Sequence, residues 1–308
     1  NDSNDFSVFI EKTNIKKINL IDPNNPYDYQ KEVVDDLQEW FKEHNEYLLA
    51  RPCGWGKTYI ISQYITKQYT DKLRVLILTP YILICDQFRE SIKLYNKIPL
   101  SVVNSDCKKN YNISGKRKIK GYNNIIISTY QSYLANSKQY GGKFDIVVYD
   151  EAHHLFTTSQ SEWSKCLEIP TNYKIYLTAT PTVSMIEENS DGILQEIQEV
   201  QITKSDNCKI NTSNLDDDIA SGILCNYKLF AYDDYKALDS MINQLSNTYA
   251  RRRIVLYYNT CQSAYDGYKY LLDKGFPCHY LDGTSNKSDK ERVLTFMKSL
   301  PDYNNLED

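Results

Sequence analysis

The sequence predicts an α/β fold made of two parallel-sheet domains in tandem, the second of them incomplete. Three observations carry that expectation. Short apolar runs rich in β-branched residues alternate with helical stretches along most of the chain. Those runs are apolar at consecutive positions, as in strands covered on both faces. Strand, helix, strand repeated in this way winds a parallel sheet with right-handed crossovers. Length agrees, because 308 residues suit two domains of about 100 to 200 residues each better than one core of the commonest size.

Taken in order, residues 1–25 are rich in Asn, Asp and Lys and read as a flexible leader. The first domain is expected over 26–183. It opens on a helical pattern at Val33, Val34, Leu37, Trp40 and Phe41. Its strands fall at YLLA (47–50), RVLILT (74–79), LSVVN (100–104), NIIIST (124–129), FDIVVYD (144–150) and KIYLTAT (174–180), with helices over 57–69 and 81–95 among the connections. From 184 to 226 the pattern lapses into an acidic stretch containing Asp216, Asp217 and Asp218, which reads as a linker or insertion. A partial second domain follows over 227–308. It has strands at KLFAY (228–232), RIVLYY (253–258) and CHYL (278–281), and helices at 235–247, 262–274 and 288–299.

Composition bounds the function. Apolar residues make up 41% and charged residues 25%, which excludes a collagenous, disordered or coiled-coil chain. Thirty-six basic against 40 acidic residues give a net charge of −4, so nucleic acid or an anionic membrane can be drawn only by a local patch. The longest apolar stretch, 75–85, is interrupted by Thr79 and Pro80 and falls short of the roughly 20 residues that span a bilayer. The opening NDSNDFSVFI has no basic-then-apolar signal region, so neither secretion nor a membrane is expected. Eight cysteines with no CxxC pair exclude a zinc knuckle and read as reduced thiols of an intracellular protein, cytoplasmic or nuclear. The 27 Tyr, 26 Asn and 28 Lys against 8 Arg follow A/T-rich codons, as in a large DNA virus or certain protists; a viral factory or virion location would fit the former.

The strand YLLA runs directly into Arg51-Pro-Cys-Gly-Trp-Gly-Lys-Thr58, after which a helix opens. A Gly-rich turn between strand and helix points backbone N–H groups into one concavity, where the helix dipole adds positive potential for phosphate oxygens. Lys57 can reach the β and γ phosphates, and the Thr58 hydroxyl can ligate Mg²⁺. Arg51 stands where the first Gly of GxxxxGK[ST] belongs, and Gly54 supplies the tight turn ahead of Gly56. Trp55 is bulky for such a loop and either stacks on a base or packs. The alternative to the whole motif is a chance GKT on a surface turn.

The strand FDIVVY ends in Asp150-Glu151-Ala152-His153, with His154 after it. An Asp at the carboxyl end of a parallel strand, beside a phosphate loop, can hold the Mg²⁺ shell, and the adjacent Glu can orient the attacking water. Standing alone, Asp150 would read as a helix cap.

The ordered set Tyr29-Gln30, RPCGWGKT, LTPYILICDQF (78–88), ISTYQS (127–132), DEAHH (150–154) and LTATP (177–181) resembles the DExH-box ATPases of helicase superfamily 2. The closest likeness is to the branch that includes the motor parts of type III restriction enzymes. IASGILCNYKL (219–229) and YLDGTS (280–285) with Glu291-Arg292 look like that branch's second-domain blocks. The resemblance implies tandem RecA-like P-loop domains, ATP with Mg²⁺, and hydrolysis driving movement on nucleic acid. By that resemblance Gln30 recognises adenine, Gly54, Trp55, Gly56, Lys57 and Thr58 form the nucleotide loop, and Lys57, Asp150 and Glu151 carry the catalysis. His153, Thr178 and Thr180 would couple nucleotide state to the track. Thr79, Pro80, Ser128 and Thr129 would approach the strand from the first domain, and Gly283 and Thr284 from the second. DNA is expected over RNA, with protein partners in a larger complex. The rival is an ATP-switched nucleic-acid-binding or transcription or remodelling subunit that separates no strands. Tyr27 stands where the family often has Arg, which weakens the adenine expectation.

Three further features are weighed. Asn286-Lys-Ser-Asp289 matches a guanine-recognition tetrad but follows a DGTS turn, and Ser288 with Glu291 reads instead as a capping box. The segment 108–120 holds six basic residues and no acidic one, and fits a nucleic-acid contact and a solvated loop equally. Cys53, at a helix N-terminus beside Lys57, is either an activated thiol or, more simply, a small inert residue. After Arg292 no Arg follows, so no counterpart of the second-domain arginine finger is present and weak hydrolysis is expected of these 308 residues by themselves.

Overall fold

A computed structural model describes residues 7–13, 27–95, 98–105, 108–111, 117–118, 123–140, 142–156, 162–188, 194–202, 205–224, 226–232, 255–258, 260–283, 285 and 287–299. By its contacts the chain divides into two units, one of residues 19–224 and one that joins 1–18 to 225–308.

The larger unit is organised by a sheet. Its elements are α1 (Asp28–Trp40), β2 (Glu46–Ala50), α2 (Lys57–Gln68), β3 (Val75–Thr79), α3 (Ile82–Tyr95), β4 (Leu100–Val103), β5 (Lys108–Tyr111) and β6 (Arg117–Lys118). They continue with β7 (Ile125–Thr129), α4 (Tyr130–Tyr140), β8 (Phe144–Tyr149), 3-10 turns at Ala152–Leu155 and Glu162–Glu168, β9 (Thr171–Thr178), β10 (Thr182–Glu188), β11 (Leu194–Gln201), β12 (Cys208–Thr212) and α5 (Leu215–Ala220). Nine strands share one sheet in the order β12-β2-β9-β8-β3-β7-β4-β5-β6. The first seven pair in parallel, and β5 and β6 extend the edge antiparallel.

The parallel core follows from the residues. Every position of VLILT in β3 and IIIST in β7 is buried, because helices cover both faces. One face packs Leu49, Ile77, Ile127, Val148 and Ile175 against Ile60, Ile61 and Phe88 of α2 and α3. The other packs Leu48, Leu76, Ile126, Val147 and Tyr176 against Tyr130, Tyr133 and Leu155. Alternate residues of each strand thus serve two cores.

Two stretches depart from the sequence expectation. Part of the 184–226 linker region joins the first sheet: β12 lies parallel to β2, with Cys208 opposite Glu46 and Thr212 opposite Ala50. Asp36 of α1 holds it there, accepting from Lys209, from Tyr47 at 2.7 Å and from Asn211 at 3.3 Å. The same region contributes β11 to an antiparallel pair with β10 that stands apart from the sheet. The supposed leader contains β1 (Ser7–Thr13), which pairs antiparallel with β13 (Asn226–Tyr232) in the smaller unit.

That smaller unit also holds α6 (Cys261–Asp273) and α7 (Lys287–Ser299), near the expected helices. Residues 255–258 and 278–281, expected in strands, are described without strand pairing, and the helix expected at 235–247 lies outside the described residues. The capping expectation at Ser288 is corrected: α7 begins at Lys287, so Ser288 sits within its first turn. The DGTS turn is closed instead by Asp282 and Ser285, each backbone N–H donating to the other's side chain at 2.9 and 2.8 Å.

Ile77, fully buried in the central strand β3, is expected to cost about 2–5 kcal/mol of stability as Ile77→Ala. Ile210, 42% exposed on β12, should cost about 0.5 kcal/mol or less as Ile210→Ala. Urea unfolding of the two variants measures the contrast; equal losses would contradict this placement of the core.

Candidate nucleotide site

All seven parallel strands deliver their carboxyl ends to one edge. Ala50 sits opposite Thr178, Leu78 opposite Tyr149, and Thr79 opposite Thr129, so the segments that follow them emerge side by side. Ligands of parallel α/β sheets bind at such an edge.

The loop after β2 turns on two glycines with left-handed backbone, Gly54 at φ 87° and Gly56 at φ 98°. Gly56 caps α2, and a Cβ there would lie 2.7 Å from the Gln30 amide nitrogen, so a side chain is excluded by conformation and by space. Gln30 itself is buried. Its Oε1 accepts the Tyr27 N–H at 3.2 Å, which closes the first turn of α1. Tyr27 stacks on Tyr29 with ring centres 5.5 Å apart. Lys57 opens α2, and its ammonium donates to the carbonyls of Arg51 at 2.7 Å and Pro52 at 3.3 Å.

Facing this loop is the end of β8. Asp150 is only 4% exposed, and its main chain is pinned by its own N–H to Leu78 O at 2.8 Å and by the Tyr130 hydroxyl to its carbonyl, also at 2.8 Å. Desolvation pushes its carboxyl from the ordinary 3.8 up to about 7, helped by the neighbouring Glu151 charge and opposed by Lys57 and by the Glu151 backbone. Glu151 has a left-handed backbone, φ 48° and ψ 50°, the one non-glycine residue with positive φ among those described. For a non-glycine residue that conformation costs on the order of 1–3 kcal/mol. A cavity of about 550 Å³ is lined by Cys53, Gly54, Gly56, Lys57, Thr58, Asp150 and Glu151, with Gln87 and Glu90 of α3 on its far wall.

Behind the carboxylates lies a relay. Thr178 donates to the Thr180 carbonyl at 3.0 Å and accepts the Thr180 N–H at 3.0 Å. His153 Nδ1 is hydrogen-bonded to Thr178 Oγ1 at 3.1 Å, and the same nitrogen lies 3.5 Å from the Glu151 carboxylate. Burial, then His154 and Lys57, lower the His153 pKa, so its ring is neutral at pH 7.

Other sequence-derived candidates sit elsewhere. Trp55 does not line the cavity; it is buried, with Tyr29 edge-on at 4.7 Å. Thr79, Ser128 and Thr129 end β3 and β7 on the same sheet edge but are buried. Their hydroxyls are engaged by Tyr81 O at 3.0 Å, Thr129 O at 3.2 Å and the Ser132 N–H at 3.2 Å. Pro80 is also buried. Gly283 is an exposed turn residue of the smaller unit, and Thr284 lies outside the described residues, as do most of 112–120. Cys53 is exposed beside the loop.

A divalent cation fits this donor set. Asp150 is a buried carboxylate held near neutrality by lack of solvent, and a cation would supply the missing positive charge. No cluster of three or more His, Cys, Asp or Glu that could hold a metal occurs among the described residues. That suits an ion shared with phosphate oxygens better than one caged by protein alone.

A family model described as "Type III restriction enzyme, res subunit" matches residues 24–183, just over half of the chain. The "DNA 3'-5' translocase XPB2" of Sulfurisphaera tokodaii is 29% identical over 165 residues, which is 54% of this chain and 31% of that protein. The "DNA excision repair protein ERCC-6-like" of Danio rerio is 29% identical over 171 residues, or 53% of this chain and 12% of that one. The chain thus spans under a third of the length of these curated relatives. Among solved structures, a nuclease-deletion mutant of the type ISP restriction-modification enzyme LlaGI with a DNA substrate mimic aligns at TM-score 0.44 and 18% identity, covering 88% of this chain and 26% of that one. The Sulfolobus solfataricus SWI2/SNF2 ATPase core with double-stranded DNA aligns at 0.39 and 21%, covering 56% and 33%.

The raised Asp150 pKa fixes the sign of a pH effect. The folded chain retains a proton that the unfolded chain loses between about pH 4 and 7, so this stability is complete below about pH 4 and lost as pH rises through about 7. Asp150→Asn, which cannot ionise, should be roughly 2–4 kcal/mol more stable than the parent at pH 8 and equal to it near pH 4. Denaturant unfolding at the two pH values decides; parity at pH 8 would place the carboxyl in its ordinary range.

Proposed function

The chain belongs to the type III restriction enzyme res-subunit family of superfamily 2 ATPases, and on that premise we propose that it is the motor part of an ATP-dependent DNA helicase or translocase. The observation that carries this reading is the meeting of Lys57, Thr58, Asp150 and Glu151 on one cavity at the carboxyl edge of a parallel sheet. The similar proteins, a DNA translocase and a DNA excision repair protein, favour DNA as the track.

In this reading the backbone N–H groups of residues 54–58 receive the β and γ phosphates, as loops at helix N-termini do. Lys57 leaves the carbonyls of Arg51 and Pro52 for the phosphates, exchanging neutral acceptors for charged ones. Thr58 and Asp150 would hold Mg²⁺, which would supply positive charge to the phosphates and favour the ionised form of Asp150. Glu151, which lines the cavity, accepts a hydrogen bond from the attacking water and aligns it. His153, neutral and bonded to Thr178, reports that event to β9 and the turn at Thr180. Gln30, packed against Gly56, would be the residue nearest the base. By the family resemblance, two contact sets, one around residues 79–80 and 128–129 and one near Gly283, would alternate to step the motor along a strand.

Lys57→Ala should abolish ATP binding at millimolar nucleotide. Glu151→Gln should keep ATP affinity within a few-fold and lower turnover by about 10²–10⁴-fold. ATPase rates with and without single-stranded and duplex DNA, joined to a strand-separation assay, test the motor. Turnover unaffected by both substitutions would remove the cavity from the chemistry, and turnover indifferent to DNA would remove the track.

A further inference from the structure

The two bulkiest residues of the phosphate loop do not face the nucleotide cavity. Arg51 and Trp55 line a second cavity of about 560 Å³, which they share with Asp36, Lys209, Asn211 and Asp218. Trp55, 3% exposed, donates its indole N–H to Asp218 Oδ1 at 3.1 Å. Asp218 is itself 4% exposed, and its second oxygen accepts the Ser213 hydroxyl. Arg51 donates from Nε to Asn211 Oδ1 at 3.0 Å and lays its guanidinium over the indole at 4.4 Å. A Cβ on Gly54 would meet Leu224 at 3.7 Å. Loop residues 51, 54 and 55 therefore all rest on one segment, 211–224.

These contacts lead to the loop's chemical face. The carbonyl of Arg51 is the nearer acceptor of the Lys57 ammonium, so whatever places Arg51 places Lys57. Trp55 sits between Gly54 and Gly56, whose left-handed backbones leave the loop few internal restraints of its own. Its buried indole and the buried carboxylate it reaches supply the restraint from outside. An indole N–H and a carboxylate oxygen that are both desolvated hold each other firmly, because neither has water as an alternative partner.

We propose that Asp218, acting through Trp55, is a positioning residue for the phosphate loop, and that this latch sets affinity for the nucleotide. Asp218 touches no substrate. It fixes the main chain on which Lys57 and the phosphate-facing amides are mounted, so its loss is felt as weaker binding of the triphosphate. The proposal rests on the reading of residues 51–58 as a nucleotide loop.

Calorimetric titration of ATP with Mg²⁺ into the full chain, the parent and four variants tests it. Trp55→Phe, which deletes the N–H and keeps a ring, and Asp218→Ala should each weaken ATP about 5- to 30-fold. The double variant should be no weaker than the worse single, because one contact is removed twice. Asp218→Asn, whose amide oxygen still accepts the indole N–H, should stay within about twofold of the parent. Thermal unfolding without nucleotide accompanies each titration, since a merely structural role would lower the midpoint and leave the folded protein's affinity unchanged. If Asp218→Ala does not fold, Trp55→Phe and Asp218→Asn carry the test. Parental affinity in folded Trp55→Phe, or losses that multiply in the double variant, would overturn the latch. A parent that binds no ATP would instead sink the nucleotide reading beneath it, and the latch with it.

Discussion

A parallel sheet leaves, where its strands stop, amide and carbonyl groups that no neighbouring strand completes, and the loops that follow must satisfy them locally or present them to a ligand. In the larger unit of this chain seven such ends fall on one edge, because the strands from β2 to β4 are largely buried on both faces, with helices packed against them, and β12 adds in parallel at the edge. Register then does the rest. With Ala50 opposite Thr178 and Leu78 opposite Tyr149, the phosphate loop, the Asp150-Glu151 bend and the Thr178–Thr180 turn emerge as neighbours although they are distant in sequence. A slip of one residue would point each of these side chains to the opposite face.

The electrostatics of the site follow from that placement. Asp150 sits at the last buried level of β8, where water is scarce enough to raise its carboxyl to about 7 even with Lys57 nearby. Tyr130 reinforces the arrangement from the other core: its ring stacks on Trp163 with centres 5.1 Å apart, and its hydroxyl holds the Asp150 carbonyl. The tyrosine is fully buried next to two carboxylates, and burial first and their charge second keep it protonated as a donor. The strained turn at Glu151 thus follows a residue whose main chain is held by both the Leu78 carbonyl and the Tyr130 hydroxyl. Conformational cost concentrated at one residue, with rigid support around it, is the pattern expected where geometry must be ready before the ligand arrives.

How much of this was legible in the sequence depends on how local each signal is. The strands of the first sheet are readable because double-sided burial writes consecutive apolar residues, as in VLILT and IIIST. The strand β12 is not, because an edge strand with exposed and half-exposed positions writes CKINT, and its place is fixed by Asp36, more than 170 residues away. The polar segment containing β1 is silent for the same reason: its partner, β13, lies beyond the whole first sheet. The same division runs through the site. Gly54 to Thr58, Asp150 to His153 and Thr178 to Thr180 are contiguous words whose chemistry can be read without coordinates. Gln87 and Glu90 enter the cavity only through the facing of α3, and Asp218, within an acidic run, looks like solvated linker until Trp55 is seen against it.

The departures of the loop from GxxxxGK[ST] acquire a physical sense in that light. Arg51 and Trp55 would crowd a phosphate if they faced it, and a loop with two large residues among its first five should lose the close backbone approach that glycine provides. Trp55 is instead buried and Arg51 half-buried against a second cavity, while Gly54 and Gly56 line the nucleotide cavity. Bulk on the outer face and its absence on the inner one separate two tasks that a loop of small residues must perform with the same atoms. The glycines give the main chain its curvature, and the arginine and tryptophan hold that curvature against a segment of the same folded unit. A loop braced in this manner loses less conformational freedom when an anion arrives, so more of the phosphate interaction remains as affinity. The cost is dependence on residues 211–224, which belong to the same folded unit as the loop.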